Sequence, residues 1–222
     1  MRKKLLLFFN MAVIFMLSVS IKVFAEDGSL NRSDLIYIEQ DQFISVIDEL
    51  LAIKQQNPNY TDEQILVLMN GRHSESEMSR SVDIWNALTE SEKKLCIRYP
   101  FDALKVNTAK NIATSKTEAK FGFNGLGDRS DAFRHGIWNA EMTILIGKEK
   151  AELFATAHED KDVTGNESDG YPKTAHRDMD LHNNEIGRRI GADNSQASED
   201  DMADIIYNEI ISSSTQFIWL HE

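Results

Sequence analysis

Asp131-Ala132-Phe133-Arg134-His135-Gly136-Ile137-Trp138-Asn139-Ala140-Glu141-Met142-Thr143-Ile144-Leu145-Ile146, followed by Gly147, is the stretch from which the fold is read. At about 100° per residue, Phe133, Ile137, Ala140 and Ile144 fall on one side of a helix, an ordinary core stripe. Asp131, His135, Trp138, Asn139 and Met142 fall together on the other side. Asp131/His135 and His135/Asn139 are each spaced i, i+4 and so reach one another. A tryptophan and a methionine beside a carboxylate, an imidazole and an amide do not make a solvent face; they predict a second buried contact or the wall of a cleft. Asp128 or Ser130 supplies the N-cap and Gly147 the stop.

The same periodicity recurs outward from this helix. Upstream, helices are predicted over 41–56, which stops at Asn57-Pro58, and from a Thr61/Gln64 capping box to Asn70-Gly71. A second capping box, Thr89/Glu92, opens the next helix, which Tyr99-Pro100 ends or bends into an alanine- and lysine-rich helix to about Lys120. Downstream, helices are predicted over 149–159, 179–190 and 198–212. Residues 72–81 read as a linking loop, 122–127 as an irregular glycine segment, and 160–177 as a long polar loop of the kind that often carries function. No stretch alternates with period two for long enough to form a sheet. The expectation is an all-α, single compact multi-helix domain.

The first residues are read apart from that domain. Met1-Arg2-Lys3-Lys4 is a basic start, Leu5 to Ile21 is an apolar run, and Val23-Phe24-Ala25 puts small residues at −3 and −1 of a secretory cleavage site. An uncleaved anchor is the rival reading, since the run approaches the ~17–25 residues that span a bilayer. The small residue at −1 and Glu26-Asp27 after it favour cleavage. The chain then divides into a signal peptide over 1–25, an N-terminal helical region and linker over 26–83, and a helical domain carrying the polar cluster over 84–222. Localisation is expected to be secreted or extracytoplasmic, in the cell envelope, with no membrane contact after cleavage.

Lys+Arg number 24 against 36 Asp+Glu in 222 residues, a net charge of −12. The predicted signal peptide takes away Arg2, Lys3, Lys4 and Lys22 and no acid, so the mature chain is more acidic still. That balance disfavours nucleic acid and anionic lipid as partners. Cys96 is the only cysteine and cannot form an intrachain disulfide, so stability rests on the apolar core.

Two further helices turn polar groups inward. His158 shares a stripe with Ala151, Phe154 and Ala155, with Glu159 beside it at the rim. In the helix after the long loop, Met179, Asn183, Ile186 and Ile190 form the stripe, Asp180, Asn184 and Gly187 lie on one flank, and His182 and Arg189 on the other. Unsatisfied buried polar groups cost roughly 1–3 kcal/mol each, so these groups are expected to meet. One outcome is a divalent ion held by His135, His158 and Asp180, with Asp131 or Asn183 as a further ligand or orienting group, activating water. The other is a carboxylate orienting a histidine as general base without metal.

Ordinary roles stand beside these. Histidines hydrogen-bonded in a core, an acid favoured by the helix dipole at Asp180, and an amide tie at Asn183 are common features. Trp138 is read as packing, Arg134 as a partner of Glu159 or Glu141, and His182 as facing solvent. His73, His176 and His221 are given no role. Glu199-Asp200-Asp201 lacks the alternating spacing and glycine of an EF-hand.

Three blocks, Asp131-Ala-Phe-Arg-His135-Gly-Ile-Trp138-Asn139-Ala, Ala157-His158-Glu159 and Met179-Asp180-Leu-His182-Asn183-Asn184-Glu-Ile-Gly187-Arg188, resemble an uncharacterised helical domain of exported bacterial proteins, some wall-associated and some toxin-like. Trp85 to Leu95 and the helix after Pro100 also fit, so the resemblance covers about residues 84–191. It implies a bacterial, exported, mostly helical protein and carries no activity with it. Toxin-like company adds an immunity-type protein as a partner. A secreted phospholipase of the Arg-His-Asp type is not supported, because Gly136 follows Arg134-His135. Nor is a His-Asn-His nuclease, because the last histidine is missing after His182-Asn183-Asn184.

The function expected from the residues is hydrolysis of an ester or phosphoester. His135, His158, Glu159 and Asp180 are the catalytic set, His135, His158, Asp180 and Asp131 the metal set, and Arg134, Trp138, Asn139, His182, Asn183 and Asn184 support them. Glu159 is assigned the general base at the rim. The alternative is a non-catalytic envelope or binding module whose polar cluster is a structural hydrogen-bond network.

Overall fold

A computed structural model describes the backbone of residues 32–75 and 80–222, with side chains at 41–73 and 84–222. The predicted signal peptide lies outside the described residues. The described helices are, in order, α1 (Arg32–Gln56), α2 (Asp62–Glu75), α3 (Arg80–Ala87), α4 (Glu90–Arg98), α5 (Pro100–Phe121), α6 (Arg129–Ile146), α7 (Lys148–His158), α8 (Lys173–Asp193) and α9 (Glu199–Ile211). Among the described residues there is no strand beyond an isolated bridge between Asn166 and Pro172, so the fold is all-α. Residues 32–222 form one unit, and no described helix is long and apolar enough to cross a membrane.

Asp128 starts α6 as its sequence predicts, its carboxylate accepting from the backbone N–H groups of Ser130 and Asp131 at 2.8 and 3.1 Å. These are donors that the helix itself leaves unpaired. Gly147, at φ +83°, ends it. Every residue from Ser130 to Thr143 except Arg134 is buried, because α5, α7, α8 and α9 surround this helix. Phe133, Ile137 and Met142 are fully covered, and burying side chains of this size contributes about 2 kcal/mol each.

The α6–α8 contact is made backbone to backbone. A Cβ built on Gly187 would stand 2.3 Å from the carbonyl oxygen of Gly136, and one on Gly191 would stand 2.6 Å from that of Ala140. Glycine is required here by space rather than by dihedral angle. This approach carries the polar flank of α8 against the polar side of α6.

Three boundaries differ from the sequence reading. The first helix begins at Arg32 rather than 41. The 72–81 segment is not all loop: α2 continues through Gly71 to Glu75 and α3 begins at Arg80. The reason lies in His73, which is 4% exposed and stacks on Trp85 with ring centroids 5.9 Å apart, a tertiary contact that holds the last turn in place. The long loop ends at Pro172, and α8 starts at Lys173, two turns before Met179. Pro172 occupies the N-cap with φ −59°, where its missing N–H costs nothing. Both capping boxes form: Gln64 accepts from Thr61 N–H at 2.8 Å and Glu92 from Thr89 N–H at 2.8 Å.

Candidate metal centre

Asp131 and His135 sit one turn apart on α6, and Asp180 comes from α8 across the glycine contact. One ligand atom from each lies within 4.8 Å of the others, making them a set that could hold a metal ion. His135 Nε2 is 3.3 Å from Asp180 Oδ1 and 3.6 Å from Asp131 Oδ1. A tetrahedral cation with bonds of about 2.0–2.1 Å has ligand–ligand edges of about 3.3 Å, so the spacing suits one. Asp180 Oδ1 is buried and accepts no hydrogen bond from the protein.

A chain of donors fixes the protonation of His135. Arg188 has only donors, so the Asn139 oxygen 2.8 Å from its Nη1 is correctly the carbonyl. The Asn139 Nδ2 then donates to the His135 backbone carbonyl at 3.1 Å and to Asn184 Oδ1 at 2.6 Å. Asn184 Nδ2 donates to Glu159 Oε1 at 3.3 Å, which agrees with that orientation. His135 Nδ1, 3.0 Å from the same Asn184 oxygen, must therefore carry a proton. In the neutral ring the Nε2 lone pair consequently faces two carboxylates, an arrangement that calls for a positive charge between them, either a proton or a metal cation.

The electrostatics agree. Burial works against a charged His135 ring, but the carboxylates of Asp180, Asp131 and Glu159 outweigh it and hold its pKa above the ordinary 6.5. Asp180 is pushed up to about 6, first by burial and then by the carboxylates of Asp131 and Glu159, against the pull of His135 and Arg134. Asp131 is 1% exposed; its Oδ2 accepts from Gly127 N–H at 2.6 Å and its Oδ1 pairs with Arg134.

Other residues fall where the sequence did not put them. Glu159 is not at the rim: it is the C-cap of α7, 7% exposed, 3.8 Å from His135 Nδ1 and thus on the ring edge away from the two aspartates. His158, expected to point inward, is partly exposed and stays apart from the aspartates, with its Nδ1 2.8 Å from Glu92 Oε1 of α4. The helix ends at His158, so regular spacing no longer governs which of the two neighbours turns inward. Arg134 pairs with Asp131 and donates to the Gly125 carbonyl at 2.9 Å, rather than meeting Glu159 or Glu141.

Trp138 separates the two histidines, 6.2 Å from the His135 ring and 5.1 Å from the His158 ring, edge-on to both. Its indole N–H is buried and has no acceptor. Arg134, His135, Trp138, His158 and Glu92 all line one cleft of about 710 Å³. Glu92 was read from sequence only as a capping residue, and it serves both purposes: one carboxylate oxygen caps Thr89 and the other orients His158. Burial opposes its ionisation, but the bond to His158 prevails and its pKa lies below the ordinary value.

The remaining flank of α8 holds the C-terminal tail. Asn183 donates to the Ile218 carbonyl at 2.8 Å and accepts from its N–H at 3.0 Å, so this amide is the buried tie that the sequence allowed as its ordinary role. His182 is exposed, in keeping with its sequence reading, and its Nε2 also lies 2.8 Å from the Gln216 carbonyl. The Gly127 carbonyl accepts from Leu220 N–H at 2.8 Å, and Asp169 lies between His176 Nε2 at 3.0 Å and His221 Nε2 at 3.1 Å. His176 and His221, given no role from sequence, thus clasp the tail over the glycine that holds Asp131. Their only sequence signal was a histidine near the end of the chain and another just after Pro172.

An all-α domain with an Asp/His/Asp set in its central helix pair is the class that the fold and site define. The chain belongs to the family described as a domain of unknown function, DUF6973, which matches residues 93–214. Asp131, His135 and Asp180 lie within the match; Glu92 and the tail after 214 lie outside it. Neither a curated protein nor a solved structure matches the chain.

Proposed function

We propose that this protein is an exported hydrolase that cleaves an ester or phosphoester with a divalent cation held by Asp131, His135 and Asp180. The observation that carries the reading is the imidazole whose only neutral-ring proton is committed to Asn184, leaving Nε2 and an unpartnered Asp180 oxygen turned toward each other 3.3 Å apart. Three protein ligands leave a position open for water or substrate, which is the pattern of catalytic rather than structural sites. The cation would polarise the scissile group and lower the pKa of water.

The chain's own residues take the remaining roles. Asn184 and Glu159 orient His135 from its Nδ1 side, and Arg188 fixes Asn139 behind them. His158, aligned by Glu92 and opening on the cleft, is placed by this reading as the proton carrier. The Trp138 N–H offers a donor to a substrate oxygen. Water adds at the carbonyl carbon or phosphorus, the ester bond breaks, and the water proton leaves with the alcohol. Export rests on the N-terminal sequence alone.

Elemental analysis of the purified protein beside His135→Ala and Asp180→Asn tests the reading, with melting curves before and after a chelator. The expected result is a stoichiometric ion in the wild type, lost in both variants, with a chelator-dependent melting temperature. No ion, no chelator effect and variants that merely melt earlier would overturn it and favour the non-catalytic envelope module, whose network runs through Arg188, Asn139 and Asn184.

A further inference from the structure

The tail lies on the domain as a peptide lies in a groove. From Thr215 to Trp219 it is neither helix nor turn, and one edge of its backbone faces α8 and the start of α6. His182 Nε2 donates to the Gln216 carbonyl at 2.8 Å, Asn183 takes both backbone groups of Ile218 at 2.8 and 3.0 Å, and the Gly127 carbonyl accepts from Leu220 N–H at 2.8 Å. Residues 216, 218 and 220 alternate, as the backbone groups along one edge of an extended chain do. An amide that pairs with both the N–H and the C=O of one residue reads the main chain and not the side chain. It calls for a donor and an acceptor side by side, which a polypeptide supplies at every residue.

A single side chain is taken fully into the domain. Of residues 215–222, Phe217 alone is buried, at 2% exposed, whereas Ile218 is 44% exposed. A Cβ built on Gly136 would stand 2.6 Å from the Phe217 ring and 3.3 Å from Ile206 of α9, so the missing Cβ makes room for the ring. Two residues beyond this anchor, Trp219 lies 4.7 Å from the Arg129 guanidinium, which also pairs with Glu222 at 2.6 Å. Gly127, Arg129, Gly136, Asn183 and Ile206 all lie within the family match and the tail lies outside it, joined through exposed Ser213 and Ser214. Main-chain pairing with one apolar anchor is the way extended peptides are recognised.

We propose that this face of α6 and α8 is a peptide-recognition groove, filled in cis by the tail. Once the tail is displaced, it takes an extended segment of a partner polypeptide with phenylalanine at the anchor and an aromatic residue two positions on. The proposal stands on the groove alone and needs neither a cation nor hydrolysis.

To test it, a protease site is inserted between Ser213 and Ser214 of the full chain, the folded protein is cut there, and a labelled peptide of the sequence 214–222 is titrated by fluorescence anisotropy. Saturable binding to the cut protein is expected. Binding to the uncut chain should be at least about tenfold weaker, because its tethered tail competes at a high effective concentration. A peptide with Phe217→Ala should bind at least about a hundredfold more weakly. One N-methylated at Ile218 loses the N–H that Asn183 accepts and should bind about tenfold more weakly, whereas Ile218→Ala should stay within about twofold of the parent.

The full chain carrying Phe217→Ala needs no cut: the tail peptide should raise its melting temperature and leave that of the wild type unchanged. Binding in either form, weakened by the Ile218 N-methyl group, upholds the groove. Binding that the N-methyl group leaves unchanged, or no binding in both forms, overturns it and makes the tail an ordinary part of the core.

Discussion

Asn184 Oδ1 receives both His135 Nδ1 at 3.0 Å and Asn139 Nδ2 at 2.6 Å, so one carbonyl from α8 sets the tautomer of an imidazole on α6. Asn184 is 0% exposed. Asn184→Ala strands two buried donors and is expected to destabilise the fold by about 2–4 kcal/mol. It should also weaken binding of Zn²⁺ or Mn²⁺ about 10–100-fold, the usual effect of losing an orienting partner. Denaturant melts and metal titration of the same preparations check the two numbers.

Arg188 sits three hydrogen bonds from the ring yet decides its proton. With Arg188→Met the Asn139 amide loses the donor that fixes it, and Asn184 is free to present its Nδ2 to His135. Long-range nitrogen–proton spectra of the imidazole are expected to show the Nδ1–H form in the wild type and a mixture in the variant. An unchanged spectrum would mean that Glu159, through Asn184, is sufficient.

Gly187→Ala puts a methyl 2.3 Å from a backbone oxygen that cannot rotate away. The helices must separate, at a cost of about 3 kcal/mol or more. Because Asp180 rides on α8, metal affinity should fall together with stability. Gly71→Ala, with nothing within 4 Å of its Cβ, is the control and should be neutral or slightly stabilising.

Removing residues 216–222 takes away the Ile218 partner of Asn183 and the Leu220 N–H on Gly127. Each stranded group costs about 1–3 kcal/mol, so the melting temperature should drop clearly. The His221 pKa is raised by the Glu222 carbonyl and by Asp169. A raised histidine stabilises fully below its unfolded pKa and loses that contribution as pH rises through the folded value. Protection of the tail amides from hydrogen exchange, corrected for intrinsic rates, is expected to weaken above neutral pH in the wild type and not in His221→Gln.

Glu141 on α6 is 4% exposed, with one oxygen lacking a partner, and its pKa is pushed up to about 7 by burial and then by Glu199, against Lys116. The folded state therefore keeps a proton that the unfolded chain releases near 4.5. Stability from this group is present below that pH and is lost as pH rises through 7. Glu141→Gln should gain about 1–2 kcal/mol relative to wild type between pH 4.5 and 8, after allowance for solvent screening. Denaturant midpoints at the two pH values give the difference.

The sequence by itself determined most of the helices and much of their punctuation. Local rules govern these features: Asp128 caps α6, the Thr89/Glu92 box opens α4 and Gly147 stops α6, each through contacts within a few residues. It also placed Asp131 and His135 together on a face that turns inward and Asp180 on a flank of its helix, since helical spacing is set by the backbone. Tertiary structure alone decided which inward groups meet. The Gly136–Gly187 approach sets Asp180 against His135, and the end of α7 at His158 turns Glu159 inward and gives His158 to Glu92. The proton on His135 is decided by Arg188, fifty-three residues away in sequence, and the tail clasp by Asp169, His176 and His221. Periodicity tells which way a side chain points but not what stands opposite; that depends on how closely two helices pack, and here the closeness is set by the missing Cβ of a glycine.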